Sequence, residues 1–254
     1  MKKLKISLPE AWNNLSDRQL RQTALLFNSA KRGILFDVAL LQILLDIRWW
    51  HFRKKGQLYL LLRNVTLTEL KKHYAYLYKT PERTRFIDYM ITKDEAYFSP
   101  QERLQNLSAE EFSIAEDLHK VWHKKRERVA LEYLAAVLYS TAPNVRPSFE
   151  KDALEAKAKE FKSVPLADLL AMELTYRGCK ERLVNRYPKA FPTSGGQSKG
   201  NSPGFGKVID HMAGGMFGDH EKTRRTNIYV LLDRFEQDLK DQAKLKQNGK
   251  RNIA

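Results

Sequence analysis

At 254 residues, with a formal charge of +15 set by 45 Lys/Arg against 30 Asp/Glu, the chain has room for one large or two small domains with real cores. Hydrophobic residues make up 43%, which excludes wholesale disorder, and a single cysteine, Cys179, excludes an internal disulfide and a Cys-rich zinc site. The charge favours anionic partners, whether nucleic acid, an acidic protein or a membrane surface, without choosing among them.

The N-terminal MKKLKISLPE is basic but has no apolar run behind it, so no secretory leader is expected. Ser16 is a natural N-cap with Gln19 as its capping-box partner, and Leu20, Ala24 and Phe27 follow at helical spacing. Gly33 breaks that helix, and a second is expected over 34–51, apolar almost all round as suits the middle of a core. Asp37, Gln42 and Asp46 interrupt its apolar run, which is too short and too polar to span a bilayer. No membrane association is therefore expected, and the cytoplasm is the expected location. Gly56, behind Arg53, Lys54 and Lys55, has the signature of a helix stop. Residues 57–62 fit either a strand or a helix. Thr66 and Glu69 open a helix over 67–78 that Pro81 ends.

Residues 86–98 are aromatic and β-branched around a polar Thr-Lys-Asp-Glu turn, the pattern of a small hairpin or an extended arm. Ser108 and Glu111 form a third capping box ahead of a helix to about 124, and a further helix is expected over 127–140. After a loop bracketed by Pro143 and Pro147, helices are expected over 151–162 and 165–187. Gly, Ser and Pro dominate 192–204, the composition of a flexible linker. A short helix over 205–216 and a long one from 221 follow, the latter apolar at Ile228, Leu231, Leu232, Phe235 and Leu239 and fraying over 244–254. The fold expected is mainly α: a multi-helix body over 1–190 with a small β-hairpin, a linker over 191–204, and a C-terminal helical hairpin with a polar tail over 205–254.

Catalytic signatures are weak. GGQSKGNS at 195–202 nearly matches a phosphate-binding loop, but Asn201 stands where the lysine is needed and no apolar strand precedes it. His119 and His123 have the spacing of a helical zinc pair, yet Lys120 replaces the glutamate of the zincin motif. Glu116 and His119 make half of a di-iron motif with no second copy. Lys120, Lys124 and Lys125 would repel a cation, so the two residues are taken as ordinary histidines on a solvated face. Cys179, mid-helix and without an identifiable base, suits a structural thiol better than a nucleophile. No enzyme activity, metal or cofactor is expected.

The charge pattern says more. From Lys31 to Arg85 there are twelve Lys/Arg against four Asp/Glu, a net +8, interleaved with Trp49, Trp50, Phe52, Tyr59, Tyr74, Tyr76 and Tyr78. Because these aromatics fall in apolar helical runs, a core role with cations solvating the outer face is the favoured reading. The alternatives are a stacking groove for single-stranded nucleic acid or a surface for an acidic protein. Lys222, Arg224 and Arg225, at the start of the expected last helix, would oppose its dipole and invite an anion.

Several strings together carry a resemblance: LPEAWNNL at 8–15, WWHFRKK at 49–55 followed by LYLLL at 58–62, NLSAEEF at 106–112, LAAVLY at 134–139, RPSF at 146–149, YRGC at 176–179, and Phe217-Gly218 followed by TNIY at 226–229. Over most of its length the chain resembles a family, without assigned catalytic residues, encoded in prophage-like and tailed-phage regions of Bacteroidetes genomes. Its layout of helical body, linker and small helical tail looks like that of phage tail assembly chaperones. That resemblance implies a protein that binds the aggregation-prone tape-measure protein until the tail tube polymerises around it. The gripping surface it implies is an apolar groove in the body together with the C-terminal hairpin. In this chain the partner-contact residues would be Trp49, Trp50, Phe52, Arg53, Lys54 and Lys55 in the body, and Phe217, Ile228, Tyr229, Leu232 and Phe235 in the hairpin. The alternative function is a nucleic-acid-binding accessory protein of a mobile element, acting through the surface from Lys31 to Arg85.

Overall fold

The computed structural model describes residues 7–48, 50–143, 146–191 and 205–251. Among them the chain is mainly α-helical, with eleven α-helices and one two-stranded antiparallel sheet. It packs as two compact units: Met1–Ile87 with Pro165–Cys179, and Asp88–Val164 with Lys180–Ala254. This differs from a body, linker and tail division, because the chain returns to the first unit after completing part of the second.

In the first unit, α1 (Asp17–Asn28) starts at the expected capping box. The Ser16 hydroxyl accepts the Gln19 N–H at 3.3 Å, and the Gln19 side-chain oxygen accepts the Ser16 N–H at 2.9 Å. The next helix, α2 (Gly33–Leu44), is shorter than the apolar run that predicts it. Asp46 adopts a left-handed φ of 48°, and the Lys54 ammonium reaches the Leu45 and Asp46 carbonyls at 3.4 Å, so the stop lies ten residues before Gly56. Gly56 and residues 57–62 belong instead to α3 (Phe52–Asn64). The Thr66 capping box opens α4 (Leu67–Tyr74), which tightens into a 3-10 turn over Ala75–Tyr78.

A chain of ring contacts runs from this unit's core to its surface. Trp12 meets Phe27 and Tyr76, Phe27 meets Phe36 at 5.4 Å, and Phe36 meets Tyr78. Arg83, only 2% exposed, donates to the Trp12 and Leu15 carbonyls at 3.0 Å each and ties residue 83 to the N-terminal segment. Cys179 is buried with its Sγ 3.6 Å from the Thr84 carbonyl, a structural setting.

The second unit begins with the hairpin of β1 (Tyr89–Ile91) and β2 (Ala96–Phe98), paired with Met90 opposite Tyr97. Met90 and Tyr97 are buried while Tyr89 and Ile91 are exposed, the two-residue alternation of a half-buried hairpin. Its helical centre is α5 (Ala109–Lys125) against α6 (Arg128–Leu138), separated by Arg126 at a left-handed φ of 57°. Next comes α7 (Leu154–Glu160), then α8 (Leu166–Arg186), which belongs to the first unit through Cys179 and to the second beyond it.

The C-terminal segment forms α9 (Gly206–Met212), α10 (His220–Arg225) and α11 (Ile228–Arg251), all three packing with α5. The expected single last helix is therefore two. Asp219 caps α10 by accepting the Lys222 N–H at 2.8 Å, and the break at 226–227 is held by backbone bonds from Ala109 to Thr226 (2.8 Å) and from Ile228 to Leu107 (3.0 Å). Lys222, Arg224 and Arg225 thus lie in the last turn of a short helix, where cations complement the carbonyl end instead of opposing a dipole. The near phosphate-loop motif and the linker over 192–204 lie outside the described residues.

Candidate interaction surface

Of the thirteen residues of α3, only Leu58 is buried. A helix exposed on so much of its surface would ordinarily be polar there, but Phe52 is 74%, Tyr59 67% and Leu60 51% exposed. On a helix, Phe52, Gly56 and Tyr59 stand one above another at i, i+4 and i+7, and Arg53, Lys55 and Arg63 border that stripe. Arg53 and Arg63 make no ion pair among the described residues. Lys55 lies 5.7 Å from the Phe52 ring centroid, and Arg48 lies 5.3 Å from that of Trp50, which is also exposed. Lys54 is instead engaged as the α2 cap described above.

Nearby in the same unit, α2, α3 and α4 enclose a groove of about 380 Å³ with the segment 7–10. Leu8, Leu41, Leu45, Leu61 and Leu70 give it an apolar floor, with His73 and Glu10 as polar members. α2 is not buried all round as its composition predicts: Ile34 is 69% and Leu35 75% exposed in its first turn. The expected core role of the interleaved aromatics therefore holds for Tyr74, which is buried, and fails for Trp50, Phe52, Tyr59 and Tyr78. Trp49 lies outside the described residues.

The C-terminal candidates have different surroundings. Ile228 and Leu232 are fully buried in the second unit and present no surface to a partner, because the bonds from Leu107 and Ala109 hold the start of α11 against α5. Tyr229 is half-buried and donates its hydroxyl to the Arg103 carbonyl at 2.6 Å. Phe235, also half-buried, makes an edge contact with His211 at 5.6 Å, and Phe217 is half-buried.

Two further clusters lie in the second unit. A cleft of about 350 Å³ contains Arg146, Lys157, Glu111, Glu160 and Tyr97. Arg146 donates to Glu111 at 2.6 Å, to the Leu138 carbonyl at 2.7 Å and to the Val137 carbonyl, while Lys157 donates to the Tyr139 carbonyl at 2.5 Å. These cations thus serve the last carbonyls of α6 and the residue after it. Burial first, and the Arg146 charge next, push the Lys157 ammonium down to about 8. Burial and the hydrogen bond to Glu160 push the Tyr97 phenol up. On α5, His119 is buried and not solvated, and its Nε2 lies 3.0 Å from that of His123.

Arg83 and the α6 cap formed by Arg146 and Lys157 escape sequence reasoning, because each cation serves carbonyls brought near only by folding. Comparison with protein-family models, with curated proteins and with solved structures gave no match.

Proposed function

We propose that this chain is a non-enzymatic morphogenesis protein of a phage or prophage, a tail assembly chaperone that shelters the tape-measure protein until the tail tube forms around it. The observation that carries the reading is α3, an exposed helix with an apolar stripe bordered by cations and an apolar groove beside it. Exposed rings cost solubility, and a surface of this kind is useful when something covers it. The complementary occupant is an amphipathic helix whose apolar residues recur at i, i+3, i+4 and i+7 and whose flanks carry carboxylates. Long helical partners of that pattern aggregate when unsheltered. The test is co-expression with a tape-measure protein, reading the soluble fraction of that partner. Phe52→Asp combined with Tyr59→Asp should abolish protection, since burying each ring is worth roughly 1.5–3 kcal/mol. Full protection by the double variant would overturn the reading.

A second reading, a nucleic-acid-binding accessory protein of a mobile element, draws support from exposed rings lying beside Arg48 and Lys55. Bases stack on such rings while cations displace counterions from phosphate, so binding of a single-stranded oligonucleotide would fall steeply with salt. Charge reversal at Arg53 and Lys55, which leaves the Lys54 contact with the end of α2 intact, separates the two readings: it abolishes oligonucleotide binding, and it weakens chaperoning less than loss of the two rings does.

A further inference from the structure

Two imidazoles meet on α5 in a way that a solvated helix face does not require. His119 is 5% exposed and His123 is exposed, their rings stand at 79° with centroids 4.3 Å apart, and their Nε2 atoms are separated by 3.0 Å. We propose that His119 and His123 form a chelating site for a late first-row divalent transition metal, Cu(II) or Ni(II), with water completing the coordination sphere.

The separation fits a chelate, and a pair of imidazole nitrogens favours the late divalent metals. With metal–nitrogen bonds of about 2.0–2.1 Å, two ligands at a right angle have nitrogens about 2.9 Å apart, and two at a tetrahedral angle about 3.3 Å. The observed 3.0 Å fits the right angle of a tetragonal field, the geometry of Cu(II) and Ni(II) with imidazole nitrogen. Each imidazole binds as the neutral tautomer with its proton on Nδ1 and the Nε2 lone pair directed at the metal. In the metal-free protein the same distance suits a hydrogen bond from one Nε2–H to the other Nε2. Metal binding then shifts that proton to Nδ1 of the same ring and releases none, while an imidazolium present at lower pH loses one proton to solvent.

Lys120, Lys124 and Lys125 do not defeat the site. At about 100° per residue they project roughly 80° to 140° round the helix from the bisector of the two histidines. Lys120 is also paired with Asp117 at 3.2 Å, and Lys125 lies 4.0 Å from Glu127. One turn earlier, Glu116 is held by Lys180 at 2.8 Å. A metal bridging positions i and i+4 also clamps one turn of α5, so binding should raise the thermal midpoint by mass action.

The experiment is titration of the full chain with Cu(II) in a weakly chelating buffer, read by calorimetry and by the nitrogen hyperfine pattern in electron paramagnetic resonance. One equivalent bound with two coordinated imidazole nitrogens is expected. His123→Gln, at an exposed position that leaves the core intact, should weaken binding at least about ten-fold, no less than loss of an outer-shell partner does at known metal sites. His119→Gln should do the same, with circular dichroism confirming that the variant folds. His220, 2.5 Å from Asp210, is the competing site, and His220→Gln should leave the affinity unchanged. Undiminished binding by His123→Gln, or loss of binding in His220→Gln instead, would overturn the assignment.

Discussion

Gly178 has no room for a methyl group. A Cβ there would lie 2.2 Å from the Arg83 carbonyl oxygen, 2.8 Å from the Arg83 nitrogen and 3.0 Å from the Pro81 carbonyl oxygen. All three are backbone atoms, so relief requires moving the segment that Arg83 anchors to Trp12 and Leu15. Gly178→Ala should therefore destabilise the first unit by on the order of 3 kcal/mol, the upper range for overpacking, as read from the urea midpoint. Gly56 is its opposite. It sits inside α3, and a Cβ there would meet nothing within 4 Å, so alanine would face open space. Gly56→Ala should stabilise the isolated protein by about 0.5–1 kcal/mol, because alanine loses less backbone entropy on entering a helix. If the stripe formed by Phe52 and Tyr59 is the docking face, the same methyl group stands in the partner's path. The variant should then be more stable yet protect the partner less, a combination that a purely structural glycine does not give.

At the scale of elements, two helices of the second unit share one set of charges. Glu111 closes the α5 capping box by accepting from the Ser108 N–H and hydroxyl at 2.8 Å, and its other oxygen takes Arg146, which also serves the end of α6. Arg146→Ala leaves a buried carboxylate and two carbonyls without their partner, a loss of roughly 3–5 kcal/mol readable as a lowered urea midpoint. The C-terminal helices behave as part of the same unit. Phe205 packs on Phe112 at 5.0 Å, and Ile228, Leu231 and Leu232 are fully buried. A chain ended at Phe191 should accordingly bind a hydrophobic dye and melt earlier than the full chain, instead of folding as an independent body. What could be read from the sequence follows the same divide. Ser16, Thr66 and Ser108 each carry their partner three residues away, so their helices start where expected. The hairpin over 86–98 has its turn and its alternation within one short segment. The α2 stop depends on Lys54 reaching back across a turn, and the burial of Ile228 depends on Leu107, more than a hundred residues away. Such contacts leave no local pattern. The candidate surface was partly legible: WWHFRKK marks its cations and rings, while their exposure is decided by how little of α3 packs.

For the whole molecule, the titrating groups set opposing trends with pH. Lys157 has its ammonium pushed down to about 8 from an ordinary value of 10.5. Below pH 8 it is charged in both the folded and unfolded chains, and the cost of burying that charge is fully felt. Between pH 8 and 10.5 the unfolded chain holds the proton that the folded chain has released, so stability rises with pH. Tyr74 and Tyr76 act in reverse, since burial pushes both phenols up to about 12 from 10.0. Their contribution is fully present below pH 10 and is lost between pH 10 and 12, where the unfolded chain ionises first. Tyr78, Tyr97 and Tyr187 are shifted the same way and extend the fall to higher pH. The urea midpoint should therefore climb from pH 8 to a maximum near pH 10 and then decline. Lys157→Met should remove the climb and leave the decline unchanged. A midpoint that falls steadily from pH 8 in the unaltered protein would mean that the ammonium of Lys157 is solvated, and that the α6 carbonyl end is held by Arg146 alone.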